Sequence, residues 1–395
     1  MKTLKNIGKI ALLSLALCGG TTSCNYLDVV PPEQASLPDA TKDPESTLGF
    51  LFSCYGGIRN PFDYQTVEAG ADEYVLPPLW NTGSQKITWD LNLPTNIADG
   101  WSWGSNYRFI GQCLLFLQQL PHARGVTDEQ KRAWAAEANF LLAYYHMVTL
   151  VAYGPCPITD TYIDQATPES EYNGRMHFDY VKDWICQKFD EVCEDGQLPA
   201  TRTGDEWGRA TSVMAKALKA RLLVYAASPL FNGSFPYKDW ENTNFETPGY
   251  GKELISLKYD RKKWEVAKAA CQEAITAAEA AGHKLFSLED AQSLYQQAGL
   301  PLPFVPFKSA ESGTADKDKE FMERVQLMRY VVTTRYKEGN RETIWGLANQ
   351  GTMIIGSLPH RVIKNNQGTW KSGYSGVSPT LNTCLLYTSP SPRDR

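Results

Sequence analysis

The chain has 395 residues, 39 basic and 44 acidic side chains, a formal net charge of -5 and 43% hydrophobic residues. That balance excludes the basic footprint of a nucleic-acid-binding protein and leaves enough apolar side chains for a substantial buried core. Its 11 Trp and 20 Tyr exceed what a helical core of this size needs, and they suit a surface that stacks on flat ligands.

Lys2, Lys5 and Lys9 precede the apolar run Ile10 to Leu17, which is too short to cross a bilayer as a mature helix and reads as part of a signal peptide over 1–23. Thr21-Thr22-Ser23-Cys24 follows it and resembles a lipobox, so Cys24 is the expected lipidated N-terminus of the mature chain. One acyl chain holds weakly, whereas a triacylated cysteine anchors firmly. Residues 24–42 then read as a tether that Pro31 and Pro32 keep extended, and the globular part starts at Asp43.

Helices are expected over Thr47 to Arg59 and Tyr107 to Leu120, separated by an excursion over 63–105 that is rich in Trp, Asn, Gly and Pro and has no sustained helical period. From Thr127, which forms a capping box with Gln130, the positions Trp134, Ala138, Leu141, Tyr145, Val148 and Ala152 share one face until Gly154-Pro155. A second amphipathic helix carries Val181, Ile185, Phe189 and Val192. A third carries Val213, Ala217, Ala220, Val224 and Ala227, and stops at Ser228-Pro229. A fourth begins at Asp260 as N-cap, runs through Trp264, Ala267, Cys271, Ala274 and Ala278, and ends at Gly282. Alanine-rich faces on the third and fourth predict close helix-on-helix stacking of the tetratricopeptide kind, without a strict 34-residue period.

The stretch Phe231 to Lys258 reads as irregular, with turns at Asn232-Gly233 and Pro248-Gly249. Beyond His283 the helical pattern thins. Val331 to Tyr336 reads as a strand or extended segment and Gly346 to Tyr374 as loops. The last twelve residues, Cys384 to Arg395, do not continue the preceding sequence and resemble a translated sequencing adapter, so 384–395 is set aside as non-native. The expected organisation is therefore a helical scaffold over 43–284 and a loop-rich, truncated ligand-face region over 285–383.

With Cys18, Cys24 and Cys384 set aside, six cysteines remain, scattered without paired spacing; they read as buried thiols rather than a disulfide framework. Zinc-protease, P-loop, nucleophile-elbow and C-x-x-C patterns are all missing, and the five histidines lie far apart in sequence, His146 inside a helix where a satisfied ring is expected. No cofactor is expected, and calcium has no D-x-D-x-D-G loop to support it.

Ala136-Glu137-Ala138-Asn139-Phe140-Leu141-Leu142-Ala143-Tyr144-Tyr145, closed by Tyr153-Gly154-Pro155-Cys156-Pro157, resembles the signature helix of the SusD/RagB family, with Leu142 where an arginine is common. Gly208-Arg209-Ala210-Thr211 with the alanine-rich run to Leu223, Ala227-Ser228-Pro229-Leu230-Phe231-Asn232, and Trp264 with Ala267 and Ala270 match in the same order. The resemblance implies a mainly α protein, a tetratricopeptide-like scaffold bearing a loop-rich ligand-binding face. It implies a non-enzymatic lipoprotein on the outer face of the outer membrane, with glycan as ligand and a SusC-like TonB-dependent transporter as partner. A peptide or other nutrient as cargo, a free-standing helical scaffold and an anchored glycoside hydrolase are the competing readings.

Sugar binding needs a flat aromatic face and hydrogen-bonding neighbours. Trp80-Asn81 in the excursion, stiffened by Pro77-Pro78, offers that pair, and Trp370 with Tyr374 in a polar glycine-rich stretch offers another; these four are the candidate glycan-binding residues. Trp103 and Tyr107 read as packing, and Trp134, Trp184 and Trp264 as core.

Overall fold

The computed structural model describes residues 37–58, 74–75, 103–164, 166–297, 299, 323–325, 327–328, 330–331, 334, 336–346, 363–364, 370–371 and 378–379. Its body is a stack of α-helices, each packed on the next in chain order: α1 (Pro44–Tyr55), α2 (Trp103–Gln119), α3 (Asp128–Tyr153), α4 (Phe178–Glu191), α5 (Ser212–Ala227) and α6 (Arg261–Ala280), with α7 (Leu288–Gln297) following. Mainly α architecture is thus what the sequence led one to expect. Among the described residues no helix is long and apolar enough to cross a membrane.

The helix ends follow their capping chemistry. Asp43 accepts from the Ser46 amide at the start of α1, with Pro44 in the first turn, so the helix begins three residues before Thr47. Thr127 and Gln130 close the reciprocal capping box of α3 at 3.2 and 3.0 Å. α6 starts at N-cap Asp260 and ends where Gly282 adopts φ 85°, with the Gly282 amide donating to Glu279 and the His283 amide to Ala278. That is the double hydrogen bond that only a left-handed residue allows.

α1, α2 and α3 share the largest side chains of the core: Leu51, Ile110, Phe116, Phe140, Leu141 and Tyr145 are fully buried. Gly57 lets the chain leave α1 against this cluster, since a Cβ there would lie 2.4 Å from the Phe109 ring and 2.8 Å from the Tyr145 hydroxyl. Farther along, α6 packs on α5, joined to it by the Lys216–Glu273 ion pair, and buries only its alanine stripe, Ala267, Ala270, Ala274 and Ala278.

Several expectations need correction. Trp264 is 42% exposed and Val224 41% exposed. α5 lies between α4 and α6 and turns Met214, Ala215, Leu222, Leu223 and Ala226 inward instead, while Trp264 sits in the first turn of α6 off its alanine stripe. Trp264→Gln is accordingly expected to change the unfolding free energy by no more than about 0.5 kcal/mol, read by urea denaturation; a loss above about 2 kcal/mol would restore Trp264 to the core. Val331 is helical and Tyr336 opens a 3-10 turn over Tyr336–Glu338, so the extended reading fails at both of those residues; Val332, Thr333 and Arg335 lie outside the described residues. α7 was not anticipated, and with it Phe286, Ala291 and Tyr330 form a small second core.

Four two-residue strands complete the description: β1 (Tyr74–Val75), β2 (Ile363–Lys364), β3 (Trp370–Lys371) and β4 (Ser378–Pro379). β2 and β3 fall in the stretch read as loops. They pair antiparallel, Lys364 opposite Trp370, and β1 pairs antiparallel with β4, Tyr74 opposite Pro379.

Candidate functional site

Cys24, Trp80, Asn81 and Tyr374 lie outside the described residues, and Trp370 is described in its backbone alone, as the first residue of β3. What the structure adds is their connection. The β1–β4 ladder fixes Val75 against Ser378, although the two are some 300 positions apart. Trp80 follows Val75 by five residues, a reach of at most about 18 Å, and Tyr374 precedes Ser378 by four, at most about 14 Å. The two stretches that carry the aromatic candidates therefore start from one ladder.

The far end of the excursion is pinned to the helical stack. The Trp103 amide donates to the Tyr153 hydroxyl at 3.0 Å, the Trp103 ring meets Tyr107 at 5.0 Å and Tyr153 edge-on at 5.3 Å, and the Arg175 guanidinium lies 4.7 Å over it. Tyr107 donates its hydroxyl to the Pro157 carbonyl at 2.7 Å, and burial, reinforced by the adjacent Cys156 thiol, pushes its pKa well up. Trp103 and Tyr107 are thus packing residues, as expected. They hold the first turn of α2 in one place.

A second rigid element is electrostatic. Glu137, fully buried on α3, accepts from Arg202 at 2.9 Å, from Arg209 at 2.5 and 3.1 Å, and from the Tyr55 hydroxyl at 2.6 Å. Tyr55 in turn accepts the Ala210 amide at 2.9 Å, and its own pKa is raised by burial and by the Glu137 carboxylate. Arg202 also donates to the Ala210 carbonyl at 3.0 Å. These bonds fasten the segment 202–210 to the core of the stack. That segment carries Trp207, stacked on Tyr336 at 5.6 Å, and Gly208, whose carbonyl accepts from the Trp345 indole at 3.0 Å. Residues 336–346, which belong to the late part of the chain, are docked on the scaffold through this segment.

Of the two buried histidines, His146 is satisfied at both ring nitrogens, whereas the Nε2 of His177 is buried without a hydrogen-bond partner. His146 donates from Nδ1 to the Leu142 carbonyl at 2.8 Å and accepts the Thr159 amide at Nε2 at 3.1 Å. His177 caps α4 by accepting the Asp179 amide, and stacks on Tyr250 at 3.8 Å. Burial pushes both rings down to about 4. Among the described residues no three His, Cys, Asp or Glu side chains gather as metal ligands would. The two buried carboxylates there, Glu137 and Asp179, are each tied to cations, Asp179 to Lys263 at 2.8 Å.

No protein-family model matches the chain, and no curated protein does. Among solved structures it is similar to BT4246, with 50% sequence identity and a TM-score of 0.75 over 87% of this chain and 56% of that one. It is similar in fold, at 16% identity and a TM-score of 0.57, to a SusD-like protein (BF3747) from Bacteroides fragilis, covering 88% of this chain and 54% of the other. A surface glycan-binding protein A from Bacteroides uniformis also shares the fold, at 13% identity and a TM-score of 0.52, covering 89% and 62%. The chain spans little more than half the length of the first of these.

Proposed function

The chain is a SusD/RagB-like protein, and from that premise we propose that it captures glycan at the cell surface without catalysis, held by a lipid on Cys24, and passes it to a SusC-like TonB-dependent transporter in the outer membrane. The observation that carries the glycan reading is the β1–β4 ladder. Trp80-Asn81 follow Val75 in the chain, and Trp370 and Tyr374 precede Ser378, so the two aromatic stretches run to one pair of strands. Aromatic faces with amide and hydroxyl neighbours can cover the apolar C–H side of a pyranose while bonding its hydroxyls. The non-catalytic reading fits the use made of the buried carboxylates: Glu137 is wholly taken up by two guanidinium groups and the Tyr55 hydroxyl inside the helical stack.

Affinity electrophoresis of the lipid-free protein, carried through its complete reading frame, in gels containing plant, fungal and host polysaccharides tests this. Retardation by one class is expected, weakened about tenfold by Trp80→Ala or Trp370→Ala, equivalent to roughly 1.4 kcal/mol each. No retardation by any polysaccharide, together with binding to oligopeptides, would replace glycan by peptide cargo.

A further inference from the structure

Six cysteines lie among the described residues, all as free thiols. Two of them meet. Cys54, in the last turn of α1, and Cys113, in the middle of α2, are both fully buried. The two helices are joined at this level by Gln112, whose side-chain amide donates to the Ser53 hydroxyl at 2.8 Å, and the Cys54 sulfur lies 3.7 Å from the Gln112 carbonyl oxygen, one residue from Cys113. The Cys54 thiol donates to the Phe50 carbonyl at 3.6 Å and to the Gln112 carbonyl, which sets it beside Cys113, and burial, then the neighbouring Cys54 thiol, raises Cys113 well above the ordinary thiol range. Tyr145 closes the site by donating to the Cys54 carbonyl at 2.6 Å.

We propose that Cys54 and Cys113 are an oxidisable pair that closes a disulfide between α1 and α2 when the chain folds in the presence of a thiol–disulfide oxidant. One thiolate attacks the oxidant's disulfide, expelling one of its sulfurs and forming a mixed disulfide. The second thiolate attacks the protein sulfur of that bond and expels the other. Two S–H groups become one S–S bond, and two electrons and two protons reduce the oxidant to its dithiol form. Exchange requires an accessible thiolate, and in the folded site both sulfurs are buried and the Cys113 thiol is pushed well up. The bond is therefore made before α1 docks on α2, and afterwards the core shields it from reductants. It would close a loop of about 60 residues, long enough to constrain the unfolded chain appreciably.

The test refolds the full chain from reducing denaturant, either with oxidised and reduced glutathione or with reduced glutathione alone. The folded fraction is isolated by its helical circular dichroism, returned to denaturant with an alkylating agent, and analysed as peptides. The oxidised sample should yield a cross-linked Cys54–Cys113 peptide, about 2 Da lighter than the reduced pair, with Cys156, Cys186, Cys193 and Cys271 alkylated as internal controls. Its Tm should exceed that of the reduced sample by on the order of 5 °C. Oxidised glutathione added to the already folded, reduced protein should leave both thiols untouched. Cys54→Ala and Cys113→Ala, each refolded in the glutathione mixture, should show no cross-link and no gain in Tm. Alkylation of Cys54 and Cys113 to the same extent as Cys271 after oxidative refolding would overturn the proposal, as would a cross-link to any of the other four.

Discussion

Replacing Glu137 by alanine should lower the unfolding free energy by about 3–5 kcal/mol, because it leaves two guanidinium groups inside the protein with no counter-charge. Arg202 and Arg209 are nearly buried, with side chains 8% and 13% exposed, and each reaches the Glu137 carboxylate within 3 Å. The Tyr55 hydroxyl loses its acceptor as well. Glu137→Gln should cost less, since the amide oxygen still accepts one of these bonds. A double-mutant cycle with Arg209→Ala should give a coupling energy of at least 1 kcal/mol, as expected for groups in one network. A fall of less than about 1 kcal/mol for Glu137→Ala in urea would show that the network is electrostatically idle.

Mild acid is expected to produce the next largest change. His146 and His177 are held neutral, at about 4, against an unfolded value near 6.5. Below that value the unfolded chain binds protons that the folded chain refuses, so stability is complete above pH 6.5 and is lost as pH falls toward 4. The loss at pH 4.5 is on the order of 2–3 kcal/mol for each ring. Protonation of His146 would also put a second N–H where the Thr159 amide now donates. The window lies above the titration of the carboxylates whose values are lowered, Asp43, Glu273 and Asp290, so the histidine effect can be read separately. Urea midpoints at pH 7.5 and 4.5 for the parent and His146→Gln are the measurement. A variant that loses as much stability as the parent over that interval would exonerate His146.

The helical scaffold was legible where a local signal sufficed. The capping box of α3, the N-cap of α6 and the glycine that ends it are short-range hydrogen-bond patterns, and each forms where its residues stand. α7 has the same kind of signal, since Ser287 and Asp290 cap each other reciprocally at 3.1 Å, yet its short apolar face hid it. Periodicity failed at Val224 and Trp264 because one sequence stripe cannot tell how many neighbours a helix will have. α5 has partners on several sides, while α6 buries only its alanine stripe and pairs Glu273 with Lys216 of α5. The ionic hub was beyond reach for another reason. Its carboxylate sits within the signature helix, but its cations are 65 and 72 positions away, on a segment of unremarkable composition. Of the candidate ligand residues only Trp370 is in the described structure, by its backbone in β3, and two-residue strands such as β1 to β4 leave no periodic trace in a sequence.

That ladder has a consequence for how the protein is made. Every pairing within the helical stack can form soon after its members emerge during synthesis, because each helix packs on its neighbour in the chain. Tyr74 and Val75 cannot: their partners are Pro379 and Ser378. β1 therefore waits with open backbone groups while some 300 further residues are synthesised, and the scaffold is complete before the face it presents has been closed.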